Sequence, residues 1–374
     1  MPKFRTIVFF LLIGGLIWFL YEDDFKQDGL TGVWHEMKDD FNQLKNNSQI
    51  SSTLKNLRFE LESLFNSVTD DHSEDVPSPN IESPDLTKPT EQTFSIHNIE
   101  INDKKSDVES ILNDSKRSTL NEYGTNWYTY HEHFQNFVMV AYNDDNQVVG
   151  LYTNQDLISS SVDITLQNDK NDVRETFGEP LDSIKKGFVK YRINDNDEQD
   201  TYLIDDNYVT IFYDMHQENR IAAIQIIHES LEDQKEDYFA APDSALAEGL
   251  EYQLFDLTNA ARAKFEEPIL EWHETSRVTA QNHSEDMAEN NYFGHTNLDN
   301  QSPFDRLEED NITFRMAGEN LAAGQPSSIF AHQGLMNSKG HRDNILNSDF
   351  RQMSVGVAFQ EDGQPFYTET YLTQ

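Results

Sequence analysis

Apolar residues are concentrated at the start of the chain. Residues 7–20 form an uninterrupted apolar run that follows Lys3 and Arg5 and ends in aromatic residues before an acidic stretch. No small-residue cleavage site follows, so the pattern predicts an uncleaved signal anchor at residues 1–21, with residues 4–21 in the membrane. The basic N-terminus would lie inside and the following domains outside the cell. Cleavage after the run, which would give a secreted protein, is the alternative.

Residues 22–69 have apolar side chains at helical spacing and are predicted to form a helical stalk. The second half of this segment follows the 3-4-3-4 spacing of a coiled-coil seam, at Leu54, Leu57, Leu61, Leu64 and Val68. Two heptads fit either self-association of the stalk or one amphipathic helix that rests on a neighbour or on the membrane surface. Prolines among acids and serines in residues 70–94 then predict a semi-rigid, disordered linker.

Residues 95–230 contain an internal repeat, which predicts an α+β domain of two similar halves. Each half starts with a short alternating segment, continues with a helical run that opens on Asp-Val, and includes an aromatic-rich strand, Trp127–His131 or Phe188–Tyr191. Each half ends in a predicted β-hairpin with a polar turn. The hairpin strands are Phe137–Tyr142 with Val148–Tyr152, and Tyr208–Tyr213 with Ile221–Ile227.

Residues 231–243 are an acidic connector, and Pro242-Asp243-Ser244 is typical of a helix start. The remaining residues, 244–374, are long enough for an independent domain. Their pattern predicts helices from Ser244, at about Glu274 to Asn290 and at Phe330 to Asn337, the last stopped by Gly340. Two short strands, Ser354–Phe359 and Phe366–Leu372, are predicted to end the chain.

Composition limits the functions that this chain can have. The 374 residues carry a formal net charge of −39 and contain no cysteine. Such a charge disfavours nucleic acid and anionic lipid headgroups and favours cations, although a solvated acidic surface is the simpler explanation. The absence of cysteine excludes disulfides, thiolate catalysis and cysteine-bound metals.

The candidate functional residues lie where two Gly-His pairs flank an Ala-Gly-Glu-Asn segment. His295, Glu319 and His341 are predicted to lie on loops, where two imidazoles and one carboxylate could hold Zn²⁺ or a similar divalent ion. Glycine next to each histidine lets a ligand approach closely. Two other groups of histidines are expected to be structural. His283 follows the apolar side of a helix, and His131 and His133 share one side of a polar strand.

Several short motifs in residues 245–374 resemble the bacterial CAP domain, the domain of cysteine-rich secretory proteins, antigen 5 and pathogenesis-related proteins. They are Gly294-His295-Thr296, Ser302-Pro-Phe-Asp-Arg-Leu307, Ala317-Gly-Glu-Asn-Leu321, Asn337-Ser-Lys-Gly-His-Arg342, Leu270-Glu-Trp272 and His283-Ser-Glu-Asp-Met287. The repeat region likewise resembles the domain that precedes CAP in some Gram-positive surface proteins.

The resemblance implies an α-β-α sandwich, a secreted or surface location and a cleft formed by two His and two Glu. His295, Glu319 and His341 match three of those positions, and the fourth falls near Ser338. A tryptophan usual in the preceding helix is replaced by Leu335.

Three functions follow as expectations. The first is a surface binding module whose cleft binds a divalent metal weakly, a small molecule or a ligand from the cell envelope. The second is a metal-assisted hydrolase acting on peptide or cell-wall material, with Glu319 or a metal-bound water as base. The third is a structural hydrogen-bonded network in an adhesion or scaffold protein. No nucleophile motif supports an enzyme, and no catalytic residue is assigned.

Overall fold

The structure is a computed structural model that describes residues 81–193 and 197–374. The predicted signal anchor (1–21), the stalk (22–69) with its possible self-association, and the first part of the linker lie outside these residues. Within the described ranges, no helix combines the length and the apolar character needed to cross a membrane.

The end of the predicted linker is attached to the first domain. Residues 81–93 contain neither helix nor strand, but the carboxylate of Glu100 accepts hydrogen bonds from the backbone N–H groups of Thr90, Glu91 and Gln92 at 2.7–2.9 Å. Phe94, which was assigned to the linker, is buried in the first strand. The end of the predicted linker is therefore hydrogen-bonded to the first domain, because the side chain of Glu100 accepts from three of its backbone donors.

The first domain consists of strands with three short helices. Its elements are β1 (Phe94–Ile96), α1 (Lys105–Leu112), β2 (Arg117–Leu120), β3 (Asn126–Glu132), β4 (Gln135–Tyr142), β5 (Val148–Thr153), β6 (Ile158–Ser160), α2 (Lys170–Phe177), β7 (Ser183–Lys186), β8 (Val189–Arg192), β9 (Gln199–Ile204), β10 (Asn207–Asp214), β11 (Arg220–His228) and α3 (Glu229–Gln234).

Seven of these strands form one antiparallel sheet in the order β2-β3-β4-β5-β11-β10-β9. Both predicted hairpins are present, as β4–β5 and β10–β11, and they join where β5 pairs with β11. The predicted strand at Phe188–Tyr191 pairs instead with β7 in a separate two-stranded ribbon. His131 lies in β3, whereas His133 lies in the following turn at a φ of 49°, so the two do not share a strand face.

The two faces of this sheet carry different cores. Val138, Val140 and Ile211 belong to a core with the short helices of the first domain. Phe137, Met139 and Phe212 point to the opposite face, where they pack with Leu257, Ala260 and Ile329 of the second domain. Alternation along β4 therefore supplies the domain's own core and a buried interface with the second domain.

The second domain has four strands between helices. Its elements are α4 (Ser244–Lys264), β12 (Glu271–Trp272), α5 (Glu274–Asn290), α6 (Pro303–Glu309), β13 (Met316–Ala323), α7 (Ser328–Asn337), α8 (Lys339–Ile345), β14 (Gln352–Phe359) and β15 (Pro365–Thr373). The sheet order is β12-β14-β15-β13. As predicted, α4 begins at Ser244, because the side chain of Asp243 accepts hydrogen bonds from the first free N–H groups.

Strand β14 shows how the layers are arranged. Met353, Val355 and Val357 pack in the core with α4, whereas Ser354 and Gly356 face α5. Oγ of Ser284 in α5 donates to the carbonyl oxygen of Gly356 at 2.8 Å. The sheet thus lies between α4 on one side and α5 on the other.

The end of one helix was predicted correctly, but the residue predicted to stop it was wrong. Helix α7 ends at Asn337, as expected, but Gly340 does not stop it. The chain turns at Ser338, and Gly340 and His341 lie within the next helix, α8. Nothing lies near the Cα of Gly340 that a side chain would meet, so local space does not require glycine there.

Candidate functional site

The three residues of the predicted cleft lie on three different kinds of element. His295 lies in the irregular segment between α5 and α6, as predicted. Glu319 was predicted to lie in a loop but occupies the middle of β13, where it pairs with Thr370 of β15. His341 was also predicted to lie in a loop but belongs to α8. The strand and the helix give two of the three residues a fixed backbone.

Glu319 is buried and both of its carboxylate oxygens are paired. Oε1 lies 2.8 Å from Nδ1 of His295, and Oε2 accepts a hydrogen bond from Nη2 of Arg306 at 2.5 Å. Burial alone would raise the pKa of Glu319, but Arg306 and then His295 outweigh it and lower the pKa to about 2. The carboxylate is therefore ionised at neutral pH.

Arg306 is the residue of this site that the sequence did not single out. It lies in α6 and is only 8% exposed. Besides its bond to Glu319, its Nη1 donates to the backbone carbonyls of His295 at 2.8 Å and Gln301 at 3.2 Å. One guanidinium thus holds the His295 segment against Glu319. The sequence signal for this role is the position of Arg306 in the Ser302-Pro-Phe-Asp-Arg motif, which supports the family resemblance but does not by itself predict a contact with Glu319.

His341 approaches the same site without joining the Glu319 pair. Burial and then repulsion from His295 lower the pKa of His341. Nδ1 of His341 is buried and has no hydrogen-bond partner among the described residues. Nδ2 of Asn320 donates to its backbone oxygen at 3.2 Å. His341 therefore contributes a neutral imidazole whose buried Nδ1 is unpartnered among the described residues.

A polar network lies beneath the cleft. Nδ2 of Asn320 also donates to Oε2 of Glu369 at 2.9 Å, and the hydroxyl of Tyr371 donates to the same oxygen at 2.7 Å. Nδ2 of Asn344 in α8 donates to Oδ1 of Asn320 at 2.9 Å. Asn320 thus connects the strand that carries Glu319 to the helix that carries His341.

His283 has the structural role that its position predicted. It is 1% exposed, and its Nε2 lies 3.1 Å from the carbonyl oxygen of Gly294. Burial lowers its pKa to about 4, although Glu319 nearby opposes this. The hydrogen bond joins α5 to the segment that carries His295. His131, the other expected structural histidine, stacks on Phe134 with ring centroids 4.2 Å apart.

A divalent ion fits this donor set only in part. No group of three or more His, Asp or Glu side chains within the described ranges is arranged to hold a metal ion. Arg306 occupies one oxygen of Glu319, and His295 occupies the other. Ser338, near the fourth family position, separates α7 from α8, and Leu335 is buried in the core. The imidazoles of His295 and His341 are the donors that fit a metal best.

The sandwich and this His/Glu cleft together define a CAP-type domain. Residues 255–374 match the Cysteine-rich secretory protein family (CAP), and residues 101–238 match the CAP-associated N-terminal family. The chain therefore contains a CAP domain preceded by a CAP-associated N-terminal domain, and the resemblance seen in the sequence is confirmed.

Two solved structures share this architecture. An extracellular protein containing a SCP domain from Bacillus anthracis str. Ames is 25% identical, with a TM-score of 0.64 over 79% of this chain and 100% of that chain. A cysteine-rich secretory protein from Staphylococcus aureus subsp. aureus Mu50 is 15% identical, with a TM-score of 0.59 over 77% of this chain and 95% of that chain. The second likeness concerns the fold alone.

Two curated relatives come from Bacillus subtilis (strain 168). The uncharacterized membrane protein YlbC is 42% identical over 122 residues, which is 33% of this chain and 34% of that protein. The uncharacterized protein YkwD is 38% identical over 133 residues, which is 36% of this chain and 50% of that protein. The chain thus spans about a third and about half of the length of these relatives.

Proposed function

We propose that this protein is a membrane-anchored, extracellular binding module whose CAP domain takes up a ligand in the cleft of His295, Glu319 and His341. The apolar run at residues 7–20 supports the anchor. The name of YlbC as a membrane protein and the description of the Bacillus anthracis neighbour as extracellular agree with this location. Retention of the anchor, rather than secretion, is part of the proposal.

The observation that carries the binding function is the unpartnered Nδ1 of His341. A buried polar atom normally has a partner, and a bound ligand is one way to provide it. His341 has a lowered pKa and is neutral at physiological pH, as an imidazole ligand must be. A divalent ion such as Zn²⁺ or a small hydrogen-bond donor suits this nitrogen.

The contacts of Glu319 give it a supporting role toward a metal. Its bond to Nδ1 of His295 fixes the orientation of the ring, which is the role that a carboxylate takes toward a metal-bound histidine. The guanidinium of Arg306 is positive and lies beside the same carboxylate, which opposes a divalent cation. We therefore propose weak metal binding, with Glu319 orienting His295 and not serving as a ligand itself.

Calorimetric titration with Zn²⁺ tests the proposal. The acidic surface will attract any divalent ion, so the titration is made in excess Mg²⁺, which carboxylates accept and imidazoles disfavour. We expect one weak site in the wild type, its loss in His341→Ala and its retention in His133→Asn, which changes an exposed turn histidine. Absence of Zn²⁺ binding, or equal binding by His341→Ala, would rule out the metal as ligand.

The alternative, a metal-assisted hydrolase, receives less support from the same contacts. A general base works best when its pKa lies near the operating pH, whereas the pKa of Glu319 is about 2 and both its oxygens are paired. A bound water remains the other possible base. Release of fragments from peptidoglycan or casein by the wild type but not by His341→Ala would favour the enzyme.

A further inference from the structure

A second concave site lies where three parts of the chain meet. The turn between β2 and β3, the connector between the domains and the turn between β14 and β15 enclose a groove of about 560 Å³. This groove is formed by both domains and shares no lining residue with the His295 cleft. Its size falls within the range of small-molecule and peptide pockets.

Packing on both sides fixes the walls of this groove. A side chain at Gly249 in α4 would lie 2.2 Å from the carbonyl oxygen of Leu120, so the helix touches the end of β2 directly. At Gly363, in the turn before β15, a side chain would lie 2.6 Å from the carbonyl oxygen of Ala240 in the connector. The groove is therefore part of the folded domain interface.

Two buried polar side chains that line the groove each have one atom without a hydrogen-bond partner among the described residues. Nδ2 of Asn121 and Oε2 of Glu122 have no hydrogen-bond partner among the described residues, although these residues are only 1% and 3% exposed. Reversing the Asn121 amide would not help, because its Oδ1 already accepts from the backbone N–H groups of Tyr123 at 3.0 Å and Thr125 at 3.3 Å. The groove thus offers one donor and one acceptor to a ligand.

The rim of the groove is strongly acidic. Glu236, Asp237, Glu361 and Asp362 line it, and none of them forms a salt bridge within the described ranges. Lys235 is the one basic residue in the lining. Its Nζ lies over the rings of Tyr123 at 5.2 Å and Tyr238 at 5.8 Å, and its charge also acts on the carboxylates of Glu122 and Glu232. The potential in the groove therefore favours a cation.

We propose that this groove binds a short cationic peptide. Amino groups of the peptide would lie against the carboxylates of the rim, and a backbone carbonyl would accept from Nδ2 of Asn121. A peptide N–H or an ammonium group would donate to Glu122. Apolar contact with Leu120, Phe239 and Leu246 in the lining would favour aliphatic stems of basic side chains over a bare metal ion.

Fluorescence anisotropy with a labelled Gly-Lys-Lys peptide and the full-length protein tests this proposal. We expect saturable binding that a Gly-Glu-Glu peptide does not compete for. Neutralising three rim residues together, by Glu236→Gln, Asp237→Asn and Glu361→Gln, should weaken binding about tenfold or more, since each exposed ion pair contributes modestly. Glu122→Gln should weaken it separately.

A matched variant distinguishes binding in the groove from attraction to the general negative charge of the protein. Asp144→Asn, Asp145→Asn and Glu308→Gln neutralise three exposed acids that do not line the groove, and they change the net charge equally. Binding should be unchanged in this variant. Equal weakening by both triple variants, or absence of saturable binding in the wild type, would overturn the proposal.

Asn121→Asp distinguishes a peptide from a simple polyamine. The substitution keeps the Oδ1 acceptor for the turn and removes the donor, so a ligand bound through a carbonyl should bind less tightly. Spermidine has no carbonyl and should gain from the added charge. Tighter binding of Gly-Lys-Lys by Asn121→Asp would contradict the carbonyl contact and so the peptide proposal. Thermal unfolding of each variant verifies that it is folded.

Discussion

Nη2 of Arg306 lies 2.5 Å from Oε2 of Glu319, and both side chains are buried. The ion pair joins a short helix, α6, to the middle of a strand, β13, and the same arginine holds the backbone of His295. The conformation of the cleft therefore depends on a residue that is not itself one of the three predicted cleft residues.

Replacement of Arg306 by methionine should destabilise the protein strongly. It would leave the carboxylate of Glu319 buried without its cation, and such losses cost about 3–5 kcal/mol of unfolding free energy. Urea unfolding measures the change. Arg315→Met, at an exposed arginine of the same domain, serves as control and should change stability by less than about 0.5 kcal/mol. A loss below about 1 kcal/mol for Arg306→Met would show that the pair is not structurally important.

Glu369 should make stability depend on pH. Burial raises its pKa to about 7, against the hydrogen bonds from Tyr371 and Asn320, whereas the ordinary value is 4.5. Below 4.5 the group is protonated in both states and its contribution is fully present. As the pH rises from 4.5 through about 7, the unfolded state ionises while the folded state keeps the proton, so about 3 kcal/mol of unfolding free energy is lost, and little changes above that range.

Glu369→Gln removes this titration and isolates its effect. The unfolding free energy of the variant, relative to wild type, should rise by about 3 kcal/mol between about pH 5 and about pH 8. Denaturation curves at both pH values give the difference. Glu308→Gln, at an exposed position, should show no such change. A pH-independent difference for Glu369→Gln would mean that Glu369 ionises normally in the folded protein.

Local sequence signals predicted much of the fold. The apolar and aromatic runs of β4 and β5 and of β10 and β11, each pair joined by a polar turn, identified both hairpins, because such runs and turns are properties of neighbouring residues. The start of α4 followed from Asp243, whose side chain caps the helix within the same few residues. The pairing of β5 with β11 could not be predicted in this way, because it joins the two halves of the domain.

The sequence predicted which residues form the site but not the contacts that they make. His295, Glu319 and His341 were identified by motif, but Ala317-Gly-Glu-Asn320 has the composition of a turn and was interpreted as one. The structure makes it a strand because β15 pairs along its whole length. Tertiary pairing outweighs local preference here. Arg306 was missed for the same reason, since its partner lies 13 residues away on another element.

Asn337 should hold the two domains together. Its Nδ2 donates to the backbone oxygen of Tyr213 at 3.0 Å, and its Oδ1 accepts from the N–H of Met215 at 3.0 Å, both in the first domain. Asn337→Ala removes both bonds and should cost about 1–3 kcal/mol of unfolding free energy. It should also speed proteolysis in the connector at residues 235–243. Asn290→Ala is the control, because its side chain bonds only to Asp286 within its own helix.

Equal resistance to protease in Asn337→Ala and Asn290→Ala would contradict this role. The nearby pair of Arg342 and Asp214, at 2.9 Å, also joins the domains and would then be the stronger contact. Arg342 follows His341 directly in α8, so this ion pair connects the first domain to the helix that carries a cleft residue.

Gly356 should tolerate no side chain. A Cβ at this position in β14 would lie 2.1 Å from the backbone nitrogen of Gln281 and 2.3 Å from the carbonyl carbon of Ala280, both in α5. Backbone atoms cannot rotate away, so Gly356→Ala must push the helix from the sheet and break the bond from Ser284. We expect a loss of about 3 kcal/mol or more in urea unfolding. Gly334→Ala is the matched control, because nothing lies within 4 Å of its added Cβ and it lies in α7. That variant should gain up to about 1 kcal/mol from helix propensity, and similar stability of the two variants would contradict the close contact between α5 and β14.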